Sequence, residues 1–572
     1  MKLWPILLGP WWAVNALGGG LALQTQANVM VELTLASTRA YSDPFNQVQL
    51  DVVFADPKGH EFRVPAFWDS GTTWKARYAS PVVGTHHFHT ECSPPDDSGL
   101  NGVVGTVEIA PYAGKNPLYI HGPLRVAEDH RHLEHLDGLP FFWLGDTWWM
   151  GLCHRLHWPE EFQQLAADRK AKGFNVIQIV AGLYPDMPPF DPRGANETGF
   201  PWETNYARIR PAYFDAADKR LGYLVGQGFT PCIVGAWGYF MPWMGVEKMK
   251  AHWRYLIARY GAWPVVWCAA GEANLPWYLA KGFPYDDRNQ VHDWTTVLRY
   301  IRATDPWHRL LTVHPTGINP LTSRHATDDP GLLDFDMLQT PHGRQEGVPV
   351  TISTVRQSYA TDPIMPVING EASYEMLNDS LPTEWTRRMF WICLMNGAAG
   401  HTYGANGIWQ CNRPGEPHGK SPHGGSYGVI PWNEAMRLPG SQQVGLGKKL
   451  FEQFPWQNFR PHPEWAAFGE SALKTDGQND DPNGPQSTGI PGVVRLIYVP
   501  RAEPVEVRNL DGRAPFAARW FDPVTGVTTP LGEIHGDESG RWTCLPPAGL
   551  NHDWVLILEW KTAGTRKSQP VP

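Results

Sequence analysis

The chain carries the apolar run FFWLGDTWW at residues 141–149, and seven further runs of similar length follow it. These are FNVIQIV (174–180), FTPCIVGAWG (229–238), VVWCAAGEAN (265–274), LLTVHPTG (310–317), FDMLQT (335–340), MPVINGEAS (365–373) and GAAGHTYGANGIW (397–409). Helical patterns such as WPEEFQQLAADRKAKG (158–173) separate most of them. This alternation is typical of parallel strands that are buried on both faces. Eight such strand–helix units predict a closed (β/α)8 TIM barrel.

The fifth unit departs from this pattern. The segment GINPLTSRHATDDPGLLD (317–334) follows the fifth run and offers little helical periodicity. We therefore expect a long and partly irregular connection between the fifth and sixth strands.

Short alternating runs flank the barrel on both sides. They include VELTLAS and VQLDVVF before it and GVVRLIYVP and WVLILEW after it, with turn residues between them. This pattern predicts a β-sandwich at each end. The predicted domains are a small β-sandwich (27–112), the barrel with a leading hairpin at Asp137-Gly138 (113–456), a second sandwich (457–562) and a mobile polar tail (563–572).

The amino-acid composition excludes several classes of binding partner. Hydrophobic residues make up 42% of the 572 residues and charged residues 18%, which excludes a disordered chain. No apolar run is long enough for a membrane span. The net charge is −9, and the Lys and Arg residues are scattered, so neither a nucleic acid nor an anionic membrane is the expected partner. The seven Cys residues form no CxxC pair, and neither a dinucleotide glycine loop nor an HExxH motif is found, so we predict no cofactor and no metal.

Aromatic residues favour a carbohydrate partner. The chain has 28 Trp, 19 Tyr and 23 Phe residues. Sugars stack their C–H faces on such rings, although tryptophan is also ordinary core material. The first twenty residues, MKLWPILLGPWWAVNALGGG, resemble a secretory signal interrupted by Pro5 and Pro10. We therefore predict a leader over residues 1–26 and a secreted or periplasmic protein.

Two carboxylates stand where apolar runs turn polar. Glu272 ends the fourth run and Glu371 ends the seventh, each directly after a glycine. The carboxyl ends of barrel strands carry the functional groups of this fold. Retaining glycosidases need one protonated carboxyl group and one ionised carboxylate on either side of the scissile bond. The alternative is that each glutamate is a structural partner of an Arg or Lys residue.

Other polar and aromatic side chains at the strand ends are candidate sugar ligands. They are Asp146, Trp148, His314, Gln339, His342, Tyr374, Tyr403 and Trp409. Asp146 could instead cap a turn, and either histidine could satisfy a loop carbonyl. A hydrogen bond from Tyr374 to Glu371 would favour the ionised carboxylate.

The runs GLPFFWLGDTWW, RKAKGFNVIQ, DFDMLQTPHG, PVINGEASYE and GHTYGANGIWQ resemble the apiosidase-like glycoside hydrolase barrel over residues 139–454. The N-terminal runs resemble the immunoglobulin-like domain that often precedes this barrel. The C-terminal runs RLIYVP and FAARWFDPVTG resemble the putative collagen-binding domain that often follows it. The resemblance implies a retaining mechanism with Glu272 as acid/base and Glu371 as nucleophile.

The resemblance does not settle the sugar. Many relatives carry Asp where Glu272 stands, and the extra methylene moves the proton donor, so a pentofuranose such as apiose is one candidate among related sugars. A second hypothesis is a catalytically inactive carbohydrate- or matrix-binding scaffold. Glu272 held in a salt bridge would favour that scaffold. The sequence leaves the linkage, exo or endo action and the oligomeric state open.

Overall fold

The computed structural model describes residues 20–275, 287–317, 321–422, 425–469, 481–511, 515–549 and 551–561. The tail predicted to be mobile, residues 563–572, lies outside these ranges. No helix within them is both long and apolar enough for a membrane span.

A β-sandwich forms the N-terminal region. Its elements are β1 (Leu21–Gln26), β2 (Val31–Ala36), α1 (Pro44–Gln47), β3 (Gln49–Ala55), β4 (Glu61–Pro65), β5 (Phe67–Ser70), β6 (Thr73–Tyr78), β7 (Gly84–Ser93) and β8 (Val104–Ala110). Five strands form one sheet in the order β1-β8-β7-β3-β4, and three form the other in the order β2-β6-β5. Alternate side chains of β7 are buried, as expected of a sheet with one face toward a core.

The first strand of this sandwich corrects the predicted leader. Residues 21–26 pair in parallel with β8 from Leu21↔Gly105 to Gln26↔Ala110. These six residues belong to the folded domain, so the predicted boundary at residue 26 is wrong. The remainder of the predicted leader, residues 1–19, lies outside the described residues.

A short antiparallel sheet leads into the barrel. Its elements are α2 (Pro117–Ile120), β9 (Leu124–Val126), β10 (Leu133–His135) and β11 (Pro140–Phe141). The turn predicted at Asp137-Gly138 joins β10 to β11, and Gly138 adopts φ 89° there. Glycine takes this left-handed conformation without steric cost.

Eight parallel strands form the central sheet, which confirms the predicted fold. Together with the helices around them they are β12 (Trp143–Trp148), α3 (Glu160–Ala171), β13 (Val176–Val180), α4 (Pro211–Gly226), β14 (Thr230–Val234), α5 (Phe240–Tyr260), β15 (Val266–Cys268), α6 (Asp287–Thr304), β16 (Leu311–Thr312), β17 (Asp336–Gln339), α7 (Gly347–Ala360), β18 (Val367–Glu371), α8 (Thr383–Met395), β19 (Gly400–Tyr403), α9 (Trp432–Ala435) and α10 (Pro439–Phe451). The strand order runs β16-β15-β14-β13-β12-β19-β18-β17.

The barrel has a seam between β16 and β17, the two ends of this strand order. The connection there contains the 3-10 turns Ser323–Ala326 and Pro330–Leu332, in agreement with the irregular fifth unit predicted from the sequence. Side-chain bonds bridge the seam, since Thr312 Oγ1 donates to the Phe335 carbonyl at 3.0 Å. The backbone N–H of Leu311 donates to Asp334 Oδ2 at 2.7 Å.

A second β-sandwich follows the barrel. Its strands are β20 (Arg460–Pro461), β21 (Ala466–Phe468), β22 (Gln486–Ile490), β23 (Val494–Val499), β24 (Val505–Val507), β25 (Phe516–Phe521), β26 (Thr528–Ile534), β27 (Trp542–Cys544) and β28 (Trp554–Trp560). It packs on α8, where Trp391 stacks on Tyr498 with ring centroids 5.9 Å apart. Arg387 of α8 also forms a buried ion pair with Asp553.

Candidate active site

Glu272 lies in a tightly packed turn beyond β15. A side chain at Gly271 would lie 2.3 Å from the Trp237 ring, so only glycine fits beside that indole. The backbone N–H of Gly238 donates to the Gly271 carbonyl at 2.6 Å. Glu272 itself has φ 46°, a left-handed conformation that few residues other than glycine adopt. Such backbone conformations cluster at functional sites, where the surrounding structure holds them in place.

Gln339 joins the two predicted catalytic glutamates. Its Nε2 donates to Glu272 Oε1 at 3.0 Å and to Glu371 Oε1 at 3.2 Å. Gln339 ends β17 and Glu371 ends β18, so adjacent strands present these two side chains at the same end of the barrel. The structure therefore brings together two carboxylates that are 99 residues apart in the sequence.

Two histidines contact Glu371. His342 Nε2 lies 2.7 Å from Glu371 Oε1, and His314 Nε2 lies 3.2 Å from Glu371 Oε2. Burial alone would raise the pKa of Glu371, but the contacts with His314 and His342 outweigh it and lower the pKa to about 2. Although burial opposes it, the Glu371 carboxylate in turn raises the pKa of His342. Glu371 is therefore ionised at neutral pH.

Glu272 has the opposite electrostatic environment. Its Oε2 accepts a hydrogen bond from Trp237 Nε1 at 3.2 Å, and its Oε1 accepts the one from Gln339. Burial and the negative charge of Glu371 raise the pKa of Glu272 to about 7. Both of its hydrogen-bond donors are neutral, and neither compensates for a negative charge as His342 does at Glu371. The pair thus holds one ionised carboxylate and one carboxyl group that keeps its proton near neutrality.

Both glutamates line a cavity of about 320 Å³. Of the side chains predicted from the sequence, Gln339, His342, Tyr374 and Trp409 also line it. His314 lies behind Glu371, fully buried, with its ring edge-to-face against Trp149. The buried Tyr374 hydroxyl faces Glu371, whose negative charge adds to burial in raising the pKa of the phenol, so the two predicted groups lie together.

Several cavity residues were not predicted from the sequence. They are Trp149, Pro185, Asp186, Trp237, Leu275, Leu377 and Tyr427. Trp149 packs edge-to-face against Trp237 with centroids 5.4 Å apart, and Trp409 packs similarly against Tyr427 at 5.3 Å. Asp186 accepts a hydrogen bond from the Tyr427 hydroxyl at 3.2 Å. The cavity therefore combines apolar aromatic walls with few polar groups, which is typical of small-ligand sites.

Three predicted sugar ligands lie elsewhere. Asp146, Trp148 and Tyr403 are completely buried, and none of them lines the cavity. Asp146 Oδ2 accepts hydrogen bonds from Arg169 Nε of α3 at 2.5 Å and from Trp148 Nε1 at 2.6 Å. The Tyr403 hydroxyl donates to Glu375 at 2.5 Å. These positions do not fit the predicted binding roles, because side chains alternate along a strand and these three face the helices.

Asp146 is expected to stabilise the folded protein. Asp146→Asn leaves the buried Arg169 guanidinium without its fully buried counter-ion, and we expect a loss of about 3 kcal/mol in the free energy of unfolding. Asp168→Asn is the matched control, because Asp168 pairs with the same guanidinium but is 20% exposed, and it should cost less. Chemical denaturation measures both losses. Unchanged stability together with a raised KM in Asp146→Asn would instead support the binding role.

Glu375 fixes the segment that follows Glu371. It is fully buried and accepts hydrogen bonds from the Thr383 and Tyr403 hydroxyls at 2.5 Å each. The backbone N–H of Gly440, in the first turn of α10, donates to both Glu375 oxygens at 3.1 and 3.0 Å. This carboxylate therefore ties the segment bearing Glu371 and Tyr374 to α8, β19 and α10.

Comparison with known protein families agrees with this architecture. Residues 127–458 match the family described as "Apiosidase-like, catalytic domain". Residues 26–93 match "Domain of unknown function (DUF5060)", and residues 489–559 match "Putative collagen-binding domain of a collagenase". A search of curated proteins gives no match.

Solved structures also resemble this chain. One described as a glycoside hydrolase is 25% identical with a TM-score of 0.63, and the match covers 78% of this chain and 98% of that one. A glycoside hydrolase family 5 structure from Bacteroides vulgatus is 24% identical with a TM-score of 0.64 over 78% of this chain and 95% of its own. A putative glycoside hydrolase from the same bacterium is 18% identical with a TM-score of 0.64, covering 94% and 100%. The last two likenesses show the fold alone.

An eight-stranded parallel barrel with two carboxyl groups facing one cavity defines, together with these relatives, a glycoside hydrolase. The catalytic-domain match covers more than half of the chain and includes both Glu272 and Glu371. The chain therefore belongs to the apiosidase-like family. The order of the three matched domains confirms the resemblance noted from the sequence.

Proposed function

We propose that this protein is a retaining glycosidase in which Glu371 is the nucleophile and Glu272 is the acid/base. The main support for this proposal is the position of Gln339 Nε2, which donates a hydrogen bond to one oxygen of each carboxyl group, at 3.0 and 3.2 Å. Two oxygens held this way are closer together than the separation of about 6.5 to 9.5 Å found in inverting enzymes, and their spacing is compatible with the 5 to 5.5 Å of retaining ones.

The first step forms a covalent glycosyl-enzyme intermediate. A carboxylate oxygen of Glu371 attacks the anomeric carbon as the bond between that carbon and the leaving-group oxygen breaks. Glu272 gives its proton to the departing oxygen, so the leaving group departs as a neutral alcohol. The pKa values of about 2 for Glu371 and about 7 for Glu272 suit these two roles.

The second step hydrolyses this intermediate. Glu272, now ionised, takes a proton from a water molecule whose oxygen attacks the anomeric carbon. The bond to Glu371 breaks, and both carboxyl groups return to their starting protonation states. Attack from opposite faces of the sugar in the two steps gives net retention of configuration.

We further propose a glycan of plant, algal or microbial origin as the substrate and a pentofuranose such as apiose, or a related sugar, as the group released. The family match supports this choice of sugar, and a secreted or periplasmic location would suit a polysaccharide substrate. Screening polysaccharides from these three sources with identification of the released sugar tests the proposal. Release of a different sugar would reject the pentofuranose assignment while leaving the mechanism standing.

The structure does not favour the inactive scaffold. Glu272 is bonded to an amide and an indole, and no salt bridge to it is found among the described residues. A salt bridge would have indicated a purely structural role for Glu272, and none is formed within the described ranges. NMR of the product anomer formed early in the reaction distinguishes retention, inversion and no turnover.

Asp186 is expected to help raise the pKa of Glu272. Its negative charge is one of the groups that raise the pKa of Glu272, after burial and Glu371. We expect Asp186→Asn to lower this pKa, so that kcat/KM begins to fall at a lower pH than in the unmodified enzyme. Tyr427→Phe is the matched variant, because it removes the hydrogen bond to Asp186 but keeps the carboxylate charge. The pH profile of kcat/KM checks both variants; an equal shift in the two would contradict an electrostatic role for Asp186.

A further inference from the structure

A second cavity of about 380 Å³ lies between the barrel and the C-terminal sandwich. The barrel contributes Gln345 and the first turns of α8, including Trp385 and Arg388. The sandwich contributes the residues after β23 and before β28, including Glu503 and Asn551. This cavity is larger than the one that holds the catalytic glutamates.

The walls of this second cavity are held rigidly. Arg387 Nε donates to both oxygens of Asp553, at 3.1 and 3.0 Å, and the guanidinium also donates to Gln443 at 2.7 Å. Trp391 and Tyr498 stack nearly parallel across the same domain boundary, with an interplanar angle of 7°. A fixed boundary of this kind preorganises a site, so binding a ligand there costs little ordering of the protein.

The chemistry of the lining suits a sugar. Trp385 provides a half-buried aromatic ring, and Arg388 lies over it at 5.3 Å. The guanidinium donates to two neutral amides, Gln345 at 3.3 Å and Asn483 at 3.2 Å. Arg388 is only 9% exposed, and its Nε has no hydrogen-bond partner among the described residues. The neutral amides and the indole ring supply hydrogen-bonding groups and a stacking face of the kind that sugars use.

The residues that line the second cavity carry equal numbers of positive and negative charges. Its three arginines, at positions 387, 388 and 501, face three carboxylates, at positions 384, 503 and 553. Two of the arginines are already paired, Arg387 with Asp553 and Arg501 with Glu503. A site without net charge offers hydroxyl groups both donors and acceptors but has no excess of positive charge for a phosphate or a uronate.

One short loop connects the two cavities. His342 lines the catalytic cavity and Gln345 lines the second one, three residues further along the chain. Three residues span at most about 11 Å. The loop is pinned to the segment after the nucleophile, since Ser373 Oγ donates to the Gly343 carbonyl at 2.7 Å. An oligosaccharide of a few units would cover this distance.

We infer that the second cavity binds an uncharged sugar unit of the same glycan that the barrel cleaves, at a position several units from the scissile bond. The C-terminal sandwich thereby forms part of the substrate-binding surface. This inference rests on the proposed glycosidase function. The evidence for that function is the pair of glutamates in the catalytic cavity and does not depend on the second cavity.

Kinetics with long and short substrates test the inference. In the full-length enzyme, Trp385→Ala should raise KM for a neutral polysaccharide about tenfold through loss of stacking. It should leave kcat/KM for an aryl monoglycoside unchanged, because that substrate is too short to reach Trp385. Trp385→Phe retains a ring and should restore most of the affinity. Asn551→Ala, at an exposed position, should raise the same KM without affecting the fold. An unchanged KM for the polysaccharide in both alanine variants would overturn the inference.

Binding measured without turnover separates this inference from the proposed function. Calorimetric titration of the Glu371→Gln protein with neutral arabino-, xylo- and galacto-oligosaccharides of four to six units should show binding that Trp385→Ala weakens. Binding of this kind would stand even if no glycan proved to be a substrate of the unmodified protein. Tighter binding of oligogalacturonate than of the neutral series would contradict the assignment of an uncharged sugar. Lack of binding by all of these probes would reject the site.

Discussion

Glu371→Gln is expected to lower kcat by at least about 10⁴-fold while the protein stays folded. An amide of nearly the same shape occupies the place of the carboxylate, but it cannot form the glycosyl ester. His342, which lies 2.7 Å from this carboxylate, loses its negative partner. Steady-state hydrolysis of an aryl glycoside measures the loss, and a thermal melt checks the fold. Glu346→Gln, an exposed position in the same loop region, should retain full activity.

Azide separates the role of Glu371 from that of Glu272. In Glu371→Gly the small anion can occupy the space left by the carboxylate and attack the anomeric carbon directly. With an activated aryl glycoside the product is then a glycosyl azide of inverted configuration. In Glu272→Ala azide instead intercepts the covalent intermediate and gives a product of retained configuration. The opposite pattern would exchange the two assignments, and the absence of any azide product would contradict the covalent mechanism.

The second large effect concerns Glu272 and depends on the leaving group. Glu272→Gln cannot donate a proton, so we expect kcat/KM to fall by about 10² to 10⁴-fold for natural glycosides. The loss should be small for dinitrophenyl glycosides, whose leaving group departs without protonation. Comparing the two substrate classes in one variant measures the contribution of the proton. Equal losses for both would indicate a structural role.

The pH profile follows from the same pair. Because the pKa of Glu272 is raised to about 7, the carboxyl group is protonated below that pH and loses its proton above it. Because the pKa of Glu371 is lowered to about 2, its carboxylate is ionised throughout the range between pH 2 and pH 7. Activity on natural glycosides should therefore fall about tenfold per pH unit above pH 7. Glu272→Gln should lose this basic limb; a limb that persists unchanged in the variant would mean that another group titrates there.

The sequence was sufficient to predict the barrel, but it did not determine on which face of its strand each side chain lies. The eight apolar runs became β12 to β19; Glu371 ends β18, and Glu272 lies in the turn that follows β15. The predictions for Asp146, Trp148 and Tyr403 were wrong because a strand buried on both faces shows no alternation of polar and apolar residues. Without that alternation, a one-residue change of register exchanges the two faces. Trp149, next to Trp148, therefore lines the cavity instead.

Residue types and their places along the chain determined the parallel barrel, its two flanking sandwiches and the two acidic groups at strand ends, because apolar periodicity records which segments must be buried. Only the tertiary structure decided that one amide of Gln339 bonds both carboxyl groups and that Asp186 and Tyr427 complete the cavity. Likewise, only folding separates the pKa values of Glu272 and Glu371. Burial and neighbouring charges arise from residues that are distant in the sequence, and they exist only when the chain has closed around them.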